Sequence, residues 1–157
     1  MEAKSGFFKK KLFSAVKNQL TQGASPLGLA RTCAAGVTLA IIPVLGATTA
    51  LCAIVGIKFK LNQPLIQLVN YLFYPVQLLL LPLFIYSGAK LTGSEPVAFD
   101  PRVVAAEFMT DPTLFMKHYG MAGLHAVLVW LIVSPLLFKV IEWVCFRIFR
   151  KWSMEKT

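Results

Sequence analysis

The residues whose types and spacing could do polar chemistry fall in one stripe. In NQPLIQLVNYLFYPVQ, the side chains Gln63, Gln67, Asn70, Tyr74 and Gln77 recur at intervals of four, three, four and three. That spacing puts them on a single helical face, about 21 Å long at a rise of about 1.5 Å per residue. Amides are costly to leave unpartnered in an apolar run, so this face should meet protein, water or a ligand rather than hydrocarbon. Two roles stay open for it. The amides either bond a neighbouring segment or line a polar passage or headgroup site.

Little else in the chain has catalytic character. No Asp or Glu occurs between Lys4 and Ser94, which removes the carboxylates that a proton-coupled carrier, a metal-assisted hydrolase or a glycosyl transferase would use there. No phosphate-binding loop, dinucleotide fingerprint or nucleophile–base motif is present. His118 and His125 lie seven apart on one face with no third ligand, so hydrogen-bonding roles are expected rather than a metal. Cys33, Cys52 and Cys145 lack both ligand spacing and a disulfide framework. No cofactor, no metal and no enzymatic activity are expected.

The elements that must position the stripe follow from segment length. Residues 7–21, FFKKKLFSAVKNQLT, carry Phe8, Leu12, Val16 and Leu20 at four-residue intervals among lysines, the pattern of an amphipathic helix lying in a membrane interface. No cleavable leader is expected there, because the basic start is not followed by a continuous apolar core and a small-residue cleavage site. Ser25-Pro26 then marks a helix start. The next apolar stretch, 32–57, is interrupted by Pro43-Val44-Leu45-Gly46. Its 26 residues are too few for two crossings of about 20 each. A re-entrant hairpin with Pro43 and Gly46 at its tip keeps Arg31, Lys58 and Lys60 on one side. A single kinked helix packed by its small residues is the competing reading.

Residues 61–91 exceed a straight span and contain Pro75 and Pro82, so a kinked helix or two half-helices are expected. Glu95, Asp100, Glu107 and Asp111 make the following segment acidic, with Asp111-Pro112 a further helix start. A last apolar run from about Gly120 to Val144 ends in Arg147, Arg150 and Lys151. The chain therefore divides into a cytoplasmic amphipathic helix (1–22), a hairpin plus kinked transmembrane helix (23–93), an acidic extracytoplasmic segment (94–118) and a transmembrane helix with a basic tail (119–157).

Composition agrees with an all-α integral membrane protein: 57% of the 157 residues are hydrophobic and 15% charged, with a net charge of +9. The bases crowd both ends, which places both termini in the cytoplasm of a multi-pass inner-membrane protein. Anionic lipid headgroups are the expected partners, with Lys9, Lys10, Lys11 and Arg31 as their contacts. Nucleic acid is not expected, because no basic patch is interleaved with stacking aromatics. Self-association stays open.

The stretch from about Gln22 to Gly93 resembles a bacterial membrane family catalogued as domain of unknown function 2062. The resemblance rests on Gly23-Ala24-Ser25-Pro26, Gly36, Ile42-Pro43-Val44-Leu45-Gly46, Leu61-Asn62-Gln63-Pro64, Asn70, the Pro75 region, Gly88 and Leu91. Asn70 is followed by Tyr71, where the family pattern has Pro. Because members occur alone or beside glycosyltransferase domains, the resemblance implies a setting in envelope lipid or glycan assembly and a glycosyltransferase as a partner. It assigns no catalytic residue. The function expected is that of a small non-enzymatic inner-membrane protein that handles or scaffolds an envelope lipid or lipid-linked glycan. A holin-like oligomerising pore and, behind it, a membrane-embedded enzyme of lipid or glycan metabolism are the alternatives.

Overall fold

Four helix starts carry a capping side chain. In the computed structural model, which describes residues 25–95, 97 and 100–154, six helices and no strand occur among the described residues. They are α1 (Pro26–Ala40), α2 (Thr48–Lys58), α3 (Gln63–Leu72), α4 (Tyr74–Thr92), α5 (Pro101–Thr110) and α6 (Pro112–Met154). Ser25 caps α1 by accepting the Gly28 N–H at 3.1 Å. Asn62 caps α3 through Leu65 at 3.0 Å, Asp100 caps α5, and Asp111 caps α6 through Thr113 and Leu114. In all four a proline stands in the first turn, where its missing N–H costs nothing. The expected amphipathic helix of residues 1–22, with Lys9, Lys10 and Lys11, lies outside the described residues.

Between α1 and α2 the chain reverses. The Asn62 N–H, just beyond α2, donates to Thr32 Oγ1 in α1 at 3.2 Å, and that hydroxyl donates to Gly28 O at 2.8 Å. The far end of α2 thus comes back beside the first turns of α1. A Schellman closure ends α2: Lys60 N–H meets Ile57 O and Leu61 N–H meets Gly56 O. Lys60 takes the left-handed conformation there (φ 53°), a position that glycine more often fills.

Residues 61–91 form two helices, which meet at Phe73 just before Tyr74-Pro75. Proline 75 has no N–H for the Tyr71 carbonyl, which takes the Phe73 N–H instead. By contrast, α6 runs on through Gly120, Gly123 and Pro135 for 43 residues. The carbonyl that Pro135 leaves without its helical donor is Leu131 O, and Ser134 Oγ donates to it at 3.3 Å. The acidic stretch after Gly93 is drawn into α5 and the first turns of α6. There Phe108 meets Phe115 edge to face at 5.2 Å, and Phe115 stacks on Tyr119 at 4.7 Å.

The core is built on small residues. Helix α1 buries Ala30, Thr32, Ala34, Ala35, Gly36 and Ala40 against α2, α3 and α6. Cys52 and Ile66 close one cluster with Ala35, and Phe138 of α6 packs against it. A second cluster joins Ile41 to Leu81, Phe84 and Ile85 of α4 and to Ala122 and Ala126 of α6. Helices α4 and α6 meet almost backbone to backbone. A Cβ at Gly88 would stand 2.6 Å from the His125 carbonyl carbon and 2.8 Å from the Ala126 nitrogen. Because those atoms are main chain, they cannot swing aside as a side-chain tip would.

That contact separates the glycines of the two helices. Gly88→Ala should destabilise the protein by about 1–3 kcal/mol through overpacking, seen as a lower apparent Tm in detergent micelles. Gly123→Ala, which faces open space, should leave the Tm unchanged or raise it through its helix propensity.

Candidate functional site

The amide stripe of α3 and α4 faces the reversal. Gln63 Nε2 donates to Ala53 O at 3.1 Å, and Gln67 Nε2 to Thr49 O at 3.1 Å. Asn70 Nδ2 reaches Thr49 Oγ1 at 3.4 Å. Thr49 and Ala53 are four apart, hence on one face of α2, and their carbonyls use a second lone pair to accept these amides. Gly56 makes room, since a methyl group there would collide with the Gln63 amide. Tyr74 is the exception in the stripe: it is 47% exposed and turned outward.

Gln77 does something different from the other amides. It is 1% exposed, and its Nε2 donates to Ile42 O at 2.7 Å, with Val44 O at 3.4 Å. These carbonyls lie past the last turn of α1, where no helical N–H follows. Ile42 O also takes the Val44 N–H at 2.8 Å, a three-residue turn around Pro43. Pro43 is buried and Gly46, at φ 83°, is exposed. Trp130 of α6 adds a bond from Nε1 to Thr38 O at 3.0 Å. Three polar atoms near these bonds are buried with no partner: Thr38 Oγ1, Gln67 Oε1 and Gln77 Oε1. Each of these amides thus donates to a protein oxygen, a carbonyl for Gln63, Gln67 and Gln77 and the Thr49 hydroxyl for Asn70.

At the end where α1 begins, charge gathers from three segments. Arg31 Nε binds Glu142 Oε1 at 3.0 Å, and Lys139 Nζ binds Glu142 Oε2 at 3.0 Å. Glu142 is 12% exposed, while Arg31 and Lys139 keep 55% and 74% of their side chains accessible. Arg147 lies over the Trp143 ring at 5.0 Å. The α2 end that carries Lys58 and Lys60 returns to this same end of the body, since the Asn62 N–H bonds Thr32, the neighbour of Arg31 in the chain.

The opposite end holds Glu95, Asp100, Glu107 and Asp111 among fewer bases. His118 and His125 share a helical face but not a partner. His118 Nδ1 meets Glu107 Oε1 of α5 at 2.8 Å, whereas His125 Nδ1 meets Thr92 Oγ1 of α4 at 3.2 Å. Thr92 Oγ1 lies 3.0 Å from Gly88 O and 3.0 Å from Ser94 Oγ. If its one proton goes to the carbonyl, His125 Nδ1 and Ser94 both donate to it, which fixes the imidazole tautomer. Among the described residues, no group of three or more His, Cys, Asp or Glu could hold a metal ion.

Several of these partners are invisible to local spacing. Arg31–Glu142, Trp130–Thr38 and His125–Thr92 join residues far apart in the chain. One signal was available in the sequence: Glu142 is the lone acid between Asp111 and Met154, set between Lys139 and Arg147. The Gln77 bond carries a direct test. Gln77→Leu removes the donor to two turn carbonyls and should cost about 1–3 kcal/mol, read as a fall in apparent Tm. Tyr74→Phe, at the exposed member of the stripe, should leave it unchanged.

No curated protein and no solved structure matches the chain. Residues 10–157 match the family model described as "Uncharacterized protein conserved in bacteria" (DUF2062), extending past the Gln22–Gly93 stretch on which the resemblance rests. With nearly its whole length matched, the chain belongs to that family.

Proposed function

We propose that the protein resides in the bacterial inner membrane and, without catalysis, handles or scaffolds an envelope lipid or lipid-linked glycan, holding the anionic headgroup at its basic end. One observation carries the reading. Among the described residues, Arg31 of α1 and Lys139 of α6 pair with Glu142 at one end of the helical body, to which the α2 end with Lys58 and Lys60 also returns, while Glu95, Asp100, Glu107 and Asp111 lie at the other. A phosphate-bearing headgroup is the complement of such a surface, and Arg31 and Lys139 keep accessible charge to offer it.

The distribution of side-chain size supports membrane residence. Two helices, α4 and α6, are long and apolar enough to cross a bilayer, and only 6% of the most apolar stretch of α6 is buried. Leu79, Ile132 and Leu136 are 78%, 67% and 70% exposed, while alanines, glycine and threonines fill the interior of α1. A soluble protein sorts its residues the other way. Close packing on small residues with large aliphatics outside is the arrangement that lipid permits.

In this reading α4 and α6 cross the membrane, and α1 with α2 forms a re-entrant hairpin entering from the basic side. Helix α1 rises about 22 Å at about 1.5 Å per residue, short of a hydrocarbon core of about 30 Å. Basic residues at the mouth of the hairpin and along the C-terminal turns put both chain ends in the cytoplasm. Amides committed to the hairpin favour a structural part for the stripe, with the headgroup held at the cytoplasmic surface rather than along it. A glycosyltransferase of envelope assembly is the partner that suits this role.

Native mass spectrometry of the full chain, extracted in mild detergent from its own membrane, tests the proposal. Bound anionic lipid or lipid-linked glycan should be retained, and a Lys58→Glu/Lys60→Glu variant should lose at least about tenfold of it, the effect of roughly 1.4 kcal/mol. A protein that carries no such lipid, or a variant that carries as much, would contradict the reading.

A further inference from the structure

Between Asp111 and Met154 the chain has a single acid, Glu142, and both of its oxygens are engaged. Oε1 accepts from Arg31 Nε at 3.0 Å and Oε2 from Lys139 Nζ at 3.0 Å. Both bonds end on one carboxylate, so the two cations stand no more than about 8 Å apart. The carboxylate is nearly buried, while both bases stay largely accessible. Arg31 gives Glu142 one of its five N–H groups, and the guanidinium bonds no other group among the described residues. The two-nitrogen end of its fork is therefore open. Lys139 likewise gives one of its three donors. Val140, Trp143 and Val144 are exposed on the same turns of α6.

We propose that Glu142 is a positioning residue that makes Arg31 and Lys139 a two-sided clamp for one phosphomonoester at the end of a lipid. The inference rests on the headgroup reading above and names the chemistry of that headgroup. The open end of an arginine fork bonds two phosphate oxygens side by side. Lys139 then takes a third. One phosphate, with a charge-assisted bond of about 2.8 Å on either side, spans a gap of up to about 8 Å. A phosphomonoester has three terminal oxygens, whereas a phosphodiester has two, both taken by the arginine. The flank of the clamp selects a lipid over free phosphate. Trp143 stands one turn from Lys139 on the same face of α6, exposed with Val140 and Val144 where a hydrocarbon chain would lie.

The test compares dioleoyl phosphatidic acid with dioleoyl phosphatidylglycerol, each titrated into the full chain in detergent and read by native mass spectrometry. At about pH 8 the monoester carries close to two charges, since its second pKa is about 6. The wild-type protein should bind phosphatidic acid at least about tenfold more tightly. Arg31→Lys keeps the net charge but removes the fork, and should bring the ratio of affinities close to one. Glu142→Gln makes the site more positive, so attraction by charge alone would raise the ratio, whereas loss of the clamp lowers it. Phosphatidylglycerol binding that holds or rises in both variants shows that they are folded. Inorganic phosphate should not displace the bound lipid at matching concentration; displacement would assign the site to free phosphate and overturn the proposal. A wild-type ratio near one, or an unchanged ratio in either variant, would overturn it while leaving the headgroup reading in place. Binding of neither lipid would overturn both.

Discussion

A chain that reverses inside an apolar surrounding must find partners for the backbone groups its turn leaves open. Helix α1 stops at Ala40, and the carbonyls that follow have no helical N–H ahead of them. Gln77, buried to 1% and bonded to Ile42 O at 2.7 Å, supplies the missing donor from another helix. Trp130 does the same one turn earlier at Thr38 O. Both bonds demand that α4 and α6 stand against the turn, and the contacts at Gly36 and Gly88 let the helices approach that closely. The cost of a buried, unpartnered carbonyl therefore explains why an amide-bearing helix lies beside the reversal.

The same geometry organises the charges. Because α2 brings the chain back to where α1 started, Lys58 and Lys60 lie toward the same end as Arg31, and α6 adds Lys139, Arg147, Arg150 and Lys151. Glu142 sits nearly buried between Arg31 and Lys139 and holds two long side chains in place without neutralising the cluster. A surface that is fixed, basic and flanked by Trp143 suits a headgroup at a membrane boundary. In the proposed arrangement the reversal thus has two consequences: a polar turn within the bilayer and a basic platform at its surface.

How much of this is legible in the sequence depends on the range of the interaction. Ser25-Pro26, Asn62 before Gln63-Pro64 and Asp111-Pro112 mark helix starts by local chemistry, and the structure has helices starting there. The shared face of Gln63, Gln67, Asn70 and Gln77 follows from spacing alone, although Tyr74 turns away because the chain breaks at Phe73. The length of α6 does not follow, since the apolar run begins only at about Gly120 and contains Pro135. Ser134 repairs the break at Pro135, and the Asp111 cap starts the helix eight residues before the apolar run. Pairings such as Arg31–Glu142 and Trp130–Thr38 are set by which helices pack together, and one sequence carries no local mark of that.

The central claim is that the turn between α1 and α2 lies within the hydrocarbon and reaches neither surface. Nitroxide accessibility at the turn measures this most directly. A spin label at Leu45, which is 51% exposed, is introduced as Leu45→Cys with the native cysteines replaced, and the full chain is reconstituted into liposomes. Oxygen, which partitions into the bilayer, should relax the label more strongly than a polar nickel chelate present on both sides of the membrane. Relaxation dominated by the nickel chelate would place the turn in water and contradict the re-entrant arrangement.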